Sequence, residues 1–141
     1  MVGVKEGHEV VRYRAEHYLE AIYQLGSNAT LSNIAKALGV KPSTARKMLF
    51  YLQQQGLVKY GGRKGVLLTA EGVRRVESLN YIHKTLAQFF KAIGVEEKVA
   101  EAEAEKLEHL IDRRVVEKIE HVTNLVKALS TFCGLKQPEG L

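Results

Sequence analysis

The sequence predicts a mainly α-helical protein with a single β-hairpin, and three observations lead to that prediction. Apolar residues recur at helical spacing along most of the chain. Glycines interrupt these stretches, as expected at helix ends. Residues 57–69 instead place two short apolar runs on either side of a glycine-rich, basic tip, which is typical of a hairpin. With 141 residues, 45% of them hydrophobic, the chain has room for one domain or two small modules.

Three helices are predicted before the hairpin. The first covers about residues 9–25 and carries its apolar residues on one face. The second, residues 31–38, is short and ends at Gly39. The third covers residues 42–56 and begins with Pro42, which is favourable there because the first N–H of a helix has no helical acceptor.

Three more helices are predicted after the hairpin, at about residues 70–93, 96–111 and 112–130. Thr69 is expected to cap the first of them with its side-chain oxygen. We therefore expect two domains. Residues 1–75 hold the first three helices and the hairpin, and residues 76–141 hold the remaining helices.

The second and third helices have the residues that a helix-turn-helix needs. Ala35 is small enough for two helices to cross closely, Gly39 tolerates the positive φ of the turn, and Val40 is an apolar plug just after it. A hairpin follows directly, so residues 1–75 are predicted to form a winged helix-turn-helix. We expect the second helix of the motif to contact base edges of double-stranded DNA in the major groove and the hairpin tip, residues 60–64, to lie along the phosphate backbone. The predicted DNA-binding residues are Lys41, Ser43, Thr44, Arg46, Lys47, Arg63 and Lys64.

The charge distribution agrees with this prediction. Residues 1–75 contain twelve Lys and Arg against five Asp and Glu, whereas residues 76–141 contain nine against eleven. A basic front half beside a slightly acidic back half indicates that only the front meets a polyanion. The alternative, a helical hairpin with a solvated basic face, is not excluded by charge alone.

Acidic residues and histidines are grouped in three places. His17 and Glu20 are three residues apart on the first helix, and His83 interrupts an apolar stripe on the long fourth helix. Glu105, Glu108 and His109 share one face of the fifth helix. Imidazoles and carboxylates are the usual ligands of Mn, Fe, Co or Zn. Taken singly, such groups are more often a core histidine or a solvated charged face than a metal site.

The chain resembles the DtxR/MntR family of metal-dependent repressors, and in particular its manganese-regulator branch. The resemblance is carried by residues 16–23, the helix-turn-helix, residues 83–90, residues 93–95 and residues 105–109, and it covers roughly residues 14–125. The iron-regulator branch has a further SH3-like domain, which is not expected in these 141 residues. The resemblance implies a transcriptional repressor that binds a palindromic operator as a homodimer.

The resemblance also implies a metal site. The implied ligands are His17, Glu20, His83, Glu105, Glu108 and His109. His17 departs from the family, which has Asp at this position in the manganese branch and Met in the iron branch. The family resemblance implies Mn or Fe as the metal. Because an added imidazole suits Fe, Co, Ni or Zn better than Mn, Zn and Co are alternatives. Whether one or two ions bind, and whether Glu16, Glu101 or Asp112 completes a second site, stays open.

A homodimer needs an apolar surface, and several residues are candidates for it. They are Leu86, Phe89, Phe90, Ile93 and the helix at residues 99–111. The alternative is that these residues complete the core of the protomer itself. The operator sequence, the regulated genes and the choice between repression and activation are not determined by the sequence.

Other functions are less consistent with the sequence. A winged-helix regulator without metal control is the main alternative, and a purely architectural DNA binder is another. A metallohydrolase would leave the basic winged helix unexplained, so we expect no enzyme activity and no small organic substrate. No apolar run reaches the ~18 residues of a membrane span, and no signal core precedes the first helix, which predicts a cytoplasmic protein. The single cysteine, Cys133, excludes an internal disulfide and is predicted to be buried.

Overall fold

The computed structural model describes residues 3–132, with side chains described from residue 14 onward. The fold class predicted from the sequence is confirmed: six helices and one antiparallel hairpin follow in the expected order. The elements are α1 (Gly3–Leu25), α2 (Leu31–Leu38), α3 (Pro42–Gln54), β1 (Val58–Tyr60), β2 (Val66–Leu68), α4 (Ala70–Ala92), α5 (Glu97–Leu107) and α6 (Arg113–Phe132). Cys133 lies outside the described residues.

The chain divides into two compact units, Met1–Glu77 and Ser78–Leu141. Each unit has a hydrophobic core of its own. The core of the first unit includes Leu19, Ile34, Leu49, Leu52, Val58 and Val76. The core of the second unit consists of Ile82, Leu86, Ala87, Ala104 and Val116, with further apolar residues packed against them.

The turn between α2 and α3 has the geometry that the sequence predicted. The side-chain oxygen of Thr30 caps α2 by accepting the backbone N–H of Asn33 at 3.1 Å. Gly39 ends α2 in the left-handed conformation, with φ 66° and ψ 32°. The N–H of Val40 then reaches back to the carbonyl of Ala35 at 3.0 Å, which closes the turn. Ala35 is almost fully buried, and its small side chain allows α2 and its neighbours to approach closely there.

The hairpin is held against α3. Its two strands pair in the register Val58↔Leu68 and Tyr60↔Val66. The side chain of Gln53 accepts the Tyr60 N–H at 2.8 Å, and the rings of Phe50 and Tyr60 meet edge to face with centroids 5.8 Å apart. These contacts fix the hairpin, or wing, relative to the last turns of α3.

Thr69 joins the hairpin to α4 by two hydrogen bonds. Its hydroxyl donates to the carbonyl of Gly56 at 2.6 Å and accepts the N–H of Gly72 at 3.1 Å, so the predicted cap of α4 is confirmed. Gly72 itself lies directly against the hairpin. A Cβ atom at this position would be 2.2 Å from the carbonyl oxygen of Leu57.

In the second unit, α5 is shorter than the predicted residues 96–111 and ends at Leu107. Residues 108–110 form a turn, in which the N–H groups of Leu110 and Ile111 both donate to the carbonyl of Leu107 at 3.0 Å. Asp112 then caps α6 by accepting the N–H of Arg114 at 2.8 Å. As a consequence, Glu108 and His109 lie in the turn after α5 instead of on its face.

The hydroxyl of Tyr81 on α4 donates to the carboxylate of Glu120 on α6 at 2.5 Å, and the guanidinium of Arg113 lies 4.9 Å from the centre of the Tyr81 ring. These contacts tie α6 to α4 within the second unit.

No helix within residues 3–132 is both long enough and apolar enough to cross a membrane.

Candidate metal centre and nucleic-acid interface

The predicted recognition helix presents its polar residues to solvent. Lys41 precedes α3 in extended conformation, and Pro42 occupies the first turn. The residues predicted to contact DNA at the start of this helix are all exposed: Lys41, Ser43, Thr44, Arg46 and Lys47. On the opposite face of the helix, Ala45, Leu49 and Leu52 are buried. The first turns of α3 therefore offer hydroxyl and cationic groups on one surface, as contacts to bases and phosphates require.

The tip of the wing carries the two other predicted DNA-binding residues. Arg63 and Lys64 belong to a short 3₁₀ turn, Gly62–Lys64, between the two strands, and both are exposed. Because the hairpin is fixed to α3 by Gln53 and Phe50, the tip and the helix form one continuous part of the first unit. The arrangement matches a wing that contacts phosphates beside the groove.

The sequence pattern did not indicate that Phe50 lies beside the predicted DNA-binding residues. It lies on the exposed side of α3, 52% exposed, at a spacing of three and four residues from Lys47 and Arg46. Together with Pro42 and Ser43 these residues line a shallow groove of about 400 Å³. The available signal was its position on the polar face of an otherwise amphipathic helix.

His83 on α4 lies between two carboxylates of the second unit. Its Nδ1 is 2.7 Å from Glu108 and its Nε2 is 2.7 Å from Glu101. Burial lowers the pKa of His83, but the hydrogen bond to Glu101 and the charge of Glu108 outweigh that effect, so the pKa is raised above 6.5. Burial, in turn, raises the pKa of Glu108 despite the charges of both nearby histidines.

Glu108 also contacts His109. The Nε2 of His109 lies 3.3 Å from Glu108, and both residues are buried. Glu105, one turn earlier on α5, is exposed, and its negative charge contributes to the raised pKa of Glu108. Thus the second unit brings together two imidazoles and one buried carboxylate, with Glu105 close enough to influence them. Such a donor set fits a divalent transition metal.

His17 and Glu20 are on α1 in the first unit, three residues apart and both half-buried. Glu16 beside them is almost fully buried. That His17 and Glu20 bind the same ion as the residues of the second unit stays a prediction from the family resemblance.

Glu101 and Lys91 form an ion pair that the sequence did not reveal. The ammonium of Lys91 is 2.8 Å from one carboxylate oxygen of Glu101, while the other oxygen contacts His83. The pair holds the pKa of Glu101 below its usual value, first through the hydrogen bond from Lys91 and then through that from His83. Its members are on different helices, so no local spacing could indicate it.

The sequence profiles of two domains match nearly the whole chain. The profile of the iron dependent repressor N-terminal DNA binding domain matches residues 11–66, and that of the iron dependent repressor metal binding and dimerisation domain matches residues 69–130. The chain belongs to the iron-dependent repressor family. It is therefore a metal-dependent, DNA-binding transcriptional repressor with a dimerisation domain, and the family consists of repressors rather than enzymes.

Individual relatives agree with this family. The transcriptional regulator MntR of Bacillus velezensis is 35% identical over 107 residues, which cover 74% of this chain and 75% of that protein. A manganese-dependent transcriptional repressor in complex with manganese is 29% identical with a TM-score of 0.66, covering 78% of this chain and 52% of that one. ScaR with bound Zn²⁺ is 29% identical with a TM-score of 0.70, covering 78% and 53%. This chain spans about half the length of the last two proteins.

Within this iron-dependent repressor, the apolar residues considered for the dimer interface fall into two groups, one buried and one exposed. Leu86 belongs to the core of the second unit and Phe90 packs against that core, so these two residues contribute to the protomer itself. Ile93, by contrast, is exposed. A stripe of exposed apolar residues lies instead along α6, at spacings of three, four and seven residues: Val115, Val122, Leu125, Leu129 and Phe132. We call it the α6 stripe.

Proposed function

We propose that this repressor controls metal-homeostasis genes, binding a palindromic operator as a homodimer when it is loaded with a divalent transition metal. The observation that carries the proposal is the cluster of His83, Glu108 and His109, in which a buried carboxylate contacts two imidazoles. A buried carboxylate of this kind needs a compensating positive charge. Protonated His83, whose pKa is raised by its two carboxylate neighbours, would supply this charge in the absence of metal, and a divalent cation would supply it when bound.

The proposed ligand set is His83, Glu105, Glu108 and His109 from the metal-binding domain, with His17 and Glu20 added from the family resemblance. The set contains three imidazoles, which suit Fe(II), Co(II) and Zn(II) better than Mn(II). The relatives described with manganese and with zinc support both kinds of metal. We favour Mn or Fe as the regulatory ion, with Zn or Co as alternatives.

Because the proposed ligands belong to both units, their charges would affect the orientation in which the recognition helix meets DNA. Carboxylates without a counter-ion repel one another, and this disfavours any arrangement that gathers them. A cation that binds only the DNA-competent arrangement, at 100-fold over its dissociation constant, stabilises it by about 2.7 kcal/mol. Such a difference is sufficient to make operator binding depend on the metal.

On the DNA side, we propose that Ser43, Thr44 and Lys47 contact bases or phosphates in the major groove, with Arg46 in either role and Lys41 on the backbone. Arg63 and Lys64 contact phosphates from the wing. Two such surfaces in a homodimer fit half-sites about 34–36 Å apart. The exposure of all seven side chains supports this assignment.

The experiment that tests the proposal is fluorescence anisotropy of the full chain on DNA from upstream of its own gene. The titration is made in chelator, then with Mn(II), anaerobic Fe(II) and Zn(II), beside a scrambled duplex. We expect tight, sequence-specific binding only with a cation. Glu108→Gln should abolish the response to metal, whereas Glu103→Gln, which changes a partly exposed carboxylate on α5, should leave it intact. Equal specific binding in chelator would contradict metal control.

We also infer a cytoplasmic protein without a small organic substrate, since DNA and a second copy of the chain account for the two domains that the family profiles identify. The main alternative, a winged-helix regulator without metal control, predicts that Glu108→Gln binds the operator as tightly as the parent chain in every condition.

A further inference from the structure

Four charged side chains of the second unit form a continuous chain of contacts. Lys91 Nζ is 2.8 Å from Glu101 Oε1, Glu101 Oε2 is 2.7 Å from His83 Nε2, and His83 Nδ1 is 2.7 Å from Glu108 Oε2. Each ring nitrogen of His83 therefore faces a different carboxylate. The two carboxylates differ in their surroundings, because Glu108 is buried beside His109 and Glu101 is partly exposed beside Lys91.

We infer that Glu101, held in place by Lys91, is a positioning residue of the metal centre: it orients His83 and is not itself a metal ligand. This inference rests on the proposed metal site. If Glu108 and His83 bind the same ion, Nδ1 is the nitrogen on the metal side. The Nε2–H then points away from the ion and donates to Glu101, as metal-bound histidines commonly donate their second N–H to a carboxylate.

The position of Lys91 argues against Glu101 as a ligand. Both oxygens of Glu101 are engaged, one by His83 and the other by the Lys91 ammonium. Lys91 is only 15% exposed, and its other anionic neighbour, Glu97, is at 3.8 Å. The ammonium thus takes the side of Glu101 at which a second cation would have to approach, and like charges so close together are unfavourable. Glu101 and His83 therefore do not form a second metal site.

The chain offers a matched control for this inference. Glu103 is on the same helix and also pairs with a lysine, since Lys106 Nζ is 2.9 Å from its carboxylate. This pair is more exposed and involves no histidine. Glu103→Ala removes the same charge as Glu101→Ala from the same helix, so any difference between the two variants reports the contact with His83.

The test is a titration of the metal-free full chain with Co(II), followed by its visible absorption, for the parent, Glu101→Ala, Glu101→Gln and Glu103→Ala. We expect Glu101→Ala to bind about 10- to 100-fold more weakly with the same number of ions per protomer and altered absorption bands. Glu101→Gln keeps an acceptor oxygen for Nε2–H and should recover much of the affinity. Glu103→Ala should match the parent. In the Zn(II)-loaded parent, ¹⁵N NMR should show His83 bound through Nδ1 and protonated on Nε2.

Two results would overturn the inference. A smaller number of bound ions in Glu101→Ala would make Glu101 a ligand, and an unchanged affinity with unchanged absorption would leave it without a role. Failure of the proposed function is distinguishable from both, because it appears in His83→Ala: if that variant binds Co(II) like the parent, His83 is outside the metal site and the inference falls with it.

Discussion

His83 illustrates how one residue can hold a proton or a metal ion in the same place. Its imidazole lies between Glu108 and Glu101, and their hydrogen bonds and charges raise its pKa above 6.5 although burial opposes them. A raised pKa means that the folded protein holds this proton more tightly than the unfolded chain. The resulting stabilisation is complete below about pH 6.5 and is lost as the pH rises through the folded-state pKa.

We therefore predict that, in protein stripped of metal, the His83 imidazole titrates above pH 6.5, as measured by its NMR chemical shifts. Glu101→Ala should lower the midpoint, because it removes the hydrogen bond that contributes most to the raised pKa. A midpoint below 6.5 in the parent chain would contradict the geometry around His83. Metal binding should weaken as the pH falls through the same midpoint, since the ion competes with the proton.

Gly72 is required for a steric reason, because the hairpin leaves no room for a side chain at this position. An added Cβ would be 2.2 Å from the carbonyl oxygen of Leu57 and 3.2 Å from a methyl carbon of Leu68. Since a backbone oxygen cannot move without shifting the hairpin, we expect Gly72→Ala to lower the free energy of unfolding by about 1–3 kcal/mol. Urea unfolding measures this change.

The control for Gly72→Ala is Gly61→Ala. There the added Cβ meets only the Cβ of Lys64, at an ordinary 3.6 Å, and φ is negative. Gly61→Ala should therefore unfold at nearly the urea concentration of the parent. Equal stabilities of the two variants would show that the hairpin can relax away from Gly72.

At the scale of elements, local chemistry explains what the sequence predicted well. The positive φ of Gly39, the proline at the start of α3 and the Thr69 cap are each set by a few neighbouring residues. The glycine-rich basic tip likewise defines the wing. For these reasons the order of elements and the helix-turn-helix could be predicted without any knowledge of tertiary contacts.

Tertiary contacts decided what the sequence did not predict. The end of α5 at Leu107 depends on the turn that follows it and on the cap by Asp112. The Lys91–Glu101 pair joins residues ten positions apart on two helices, and His83 meets Glu108 across 25 positions. Periodicity identifies which residues share a helix face but not which faces meet, so it could not predict that Glu101 contacts His83 or that Phe50 packs on Tyr60.

The wing allows a prediction about DNA binding. If Lys64 of each protomer contacts one phosphate of the DNA, Lys64→Ala should make the plot of log binding constant against log salt concentration less steep. The slope should fall by about 0.9 per contact, or about 1.8 per dimer. Anisotropy titrations at several salt concentrations measure the slope. The exposed Lys98 on α5 is the matched control, and Lys98→Ala should leave the slope unchanged. An unchanged slope for Lys64→Ala would place the wing away from the phosphates.

At the scale of the whole molecule, repression by a homodimer requires a surface through which two copies meet. The family profile assigns dimerisation to residues 69–130, and Leu86 and Phe90 are already used in the core of the second unit. The α6 stripe lies within or beside that range and is exposed in the single chain. Its helical spacing is that of a surface covered by another helix. We therefore propose that it is covered by the second copy.

Leu125→Asp tests the stripe at its centre. Burying a leucine contributes about 1.5–3 kcal/mol, and a two-fold dimer buries it twice. We thus expect dimerisation to weaken at least ~100-fold in sedimentation equilibrium. Operator binding should fall with it, although the metal site and recognition helix are unaltered. Asn124→Asp places the same charge on the neighbouring exposed position and should stay dimeric. If Leu125→Asp is as dimeric as Asn124→Asp, two copies meet through another face and the α6 stripe has a different role.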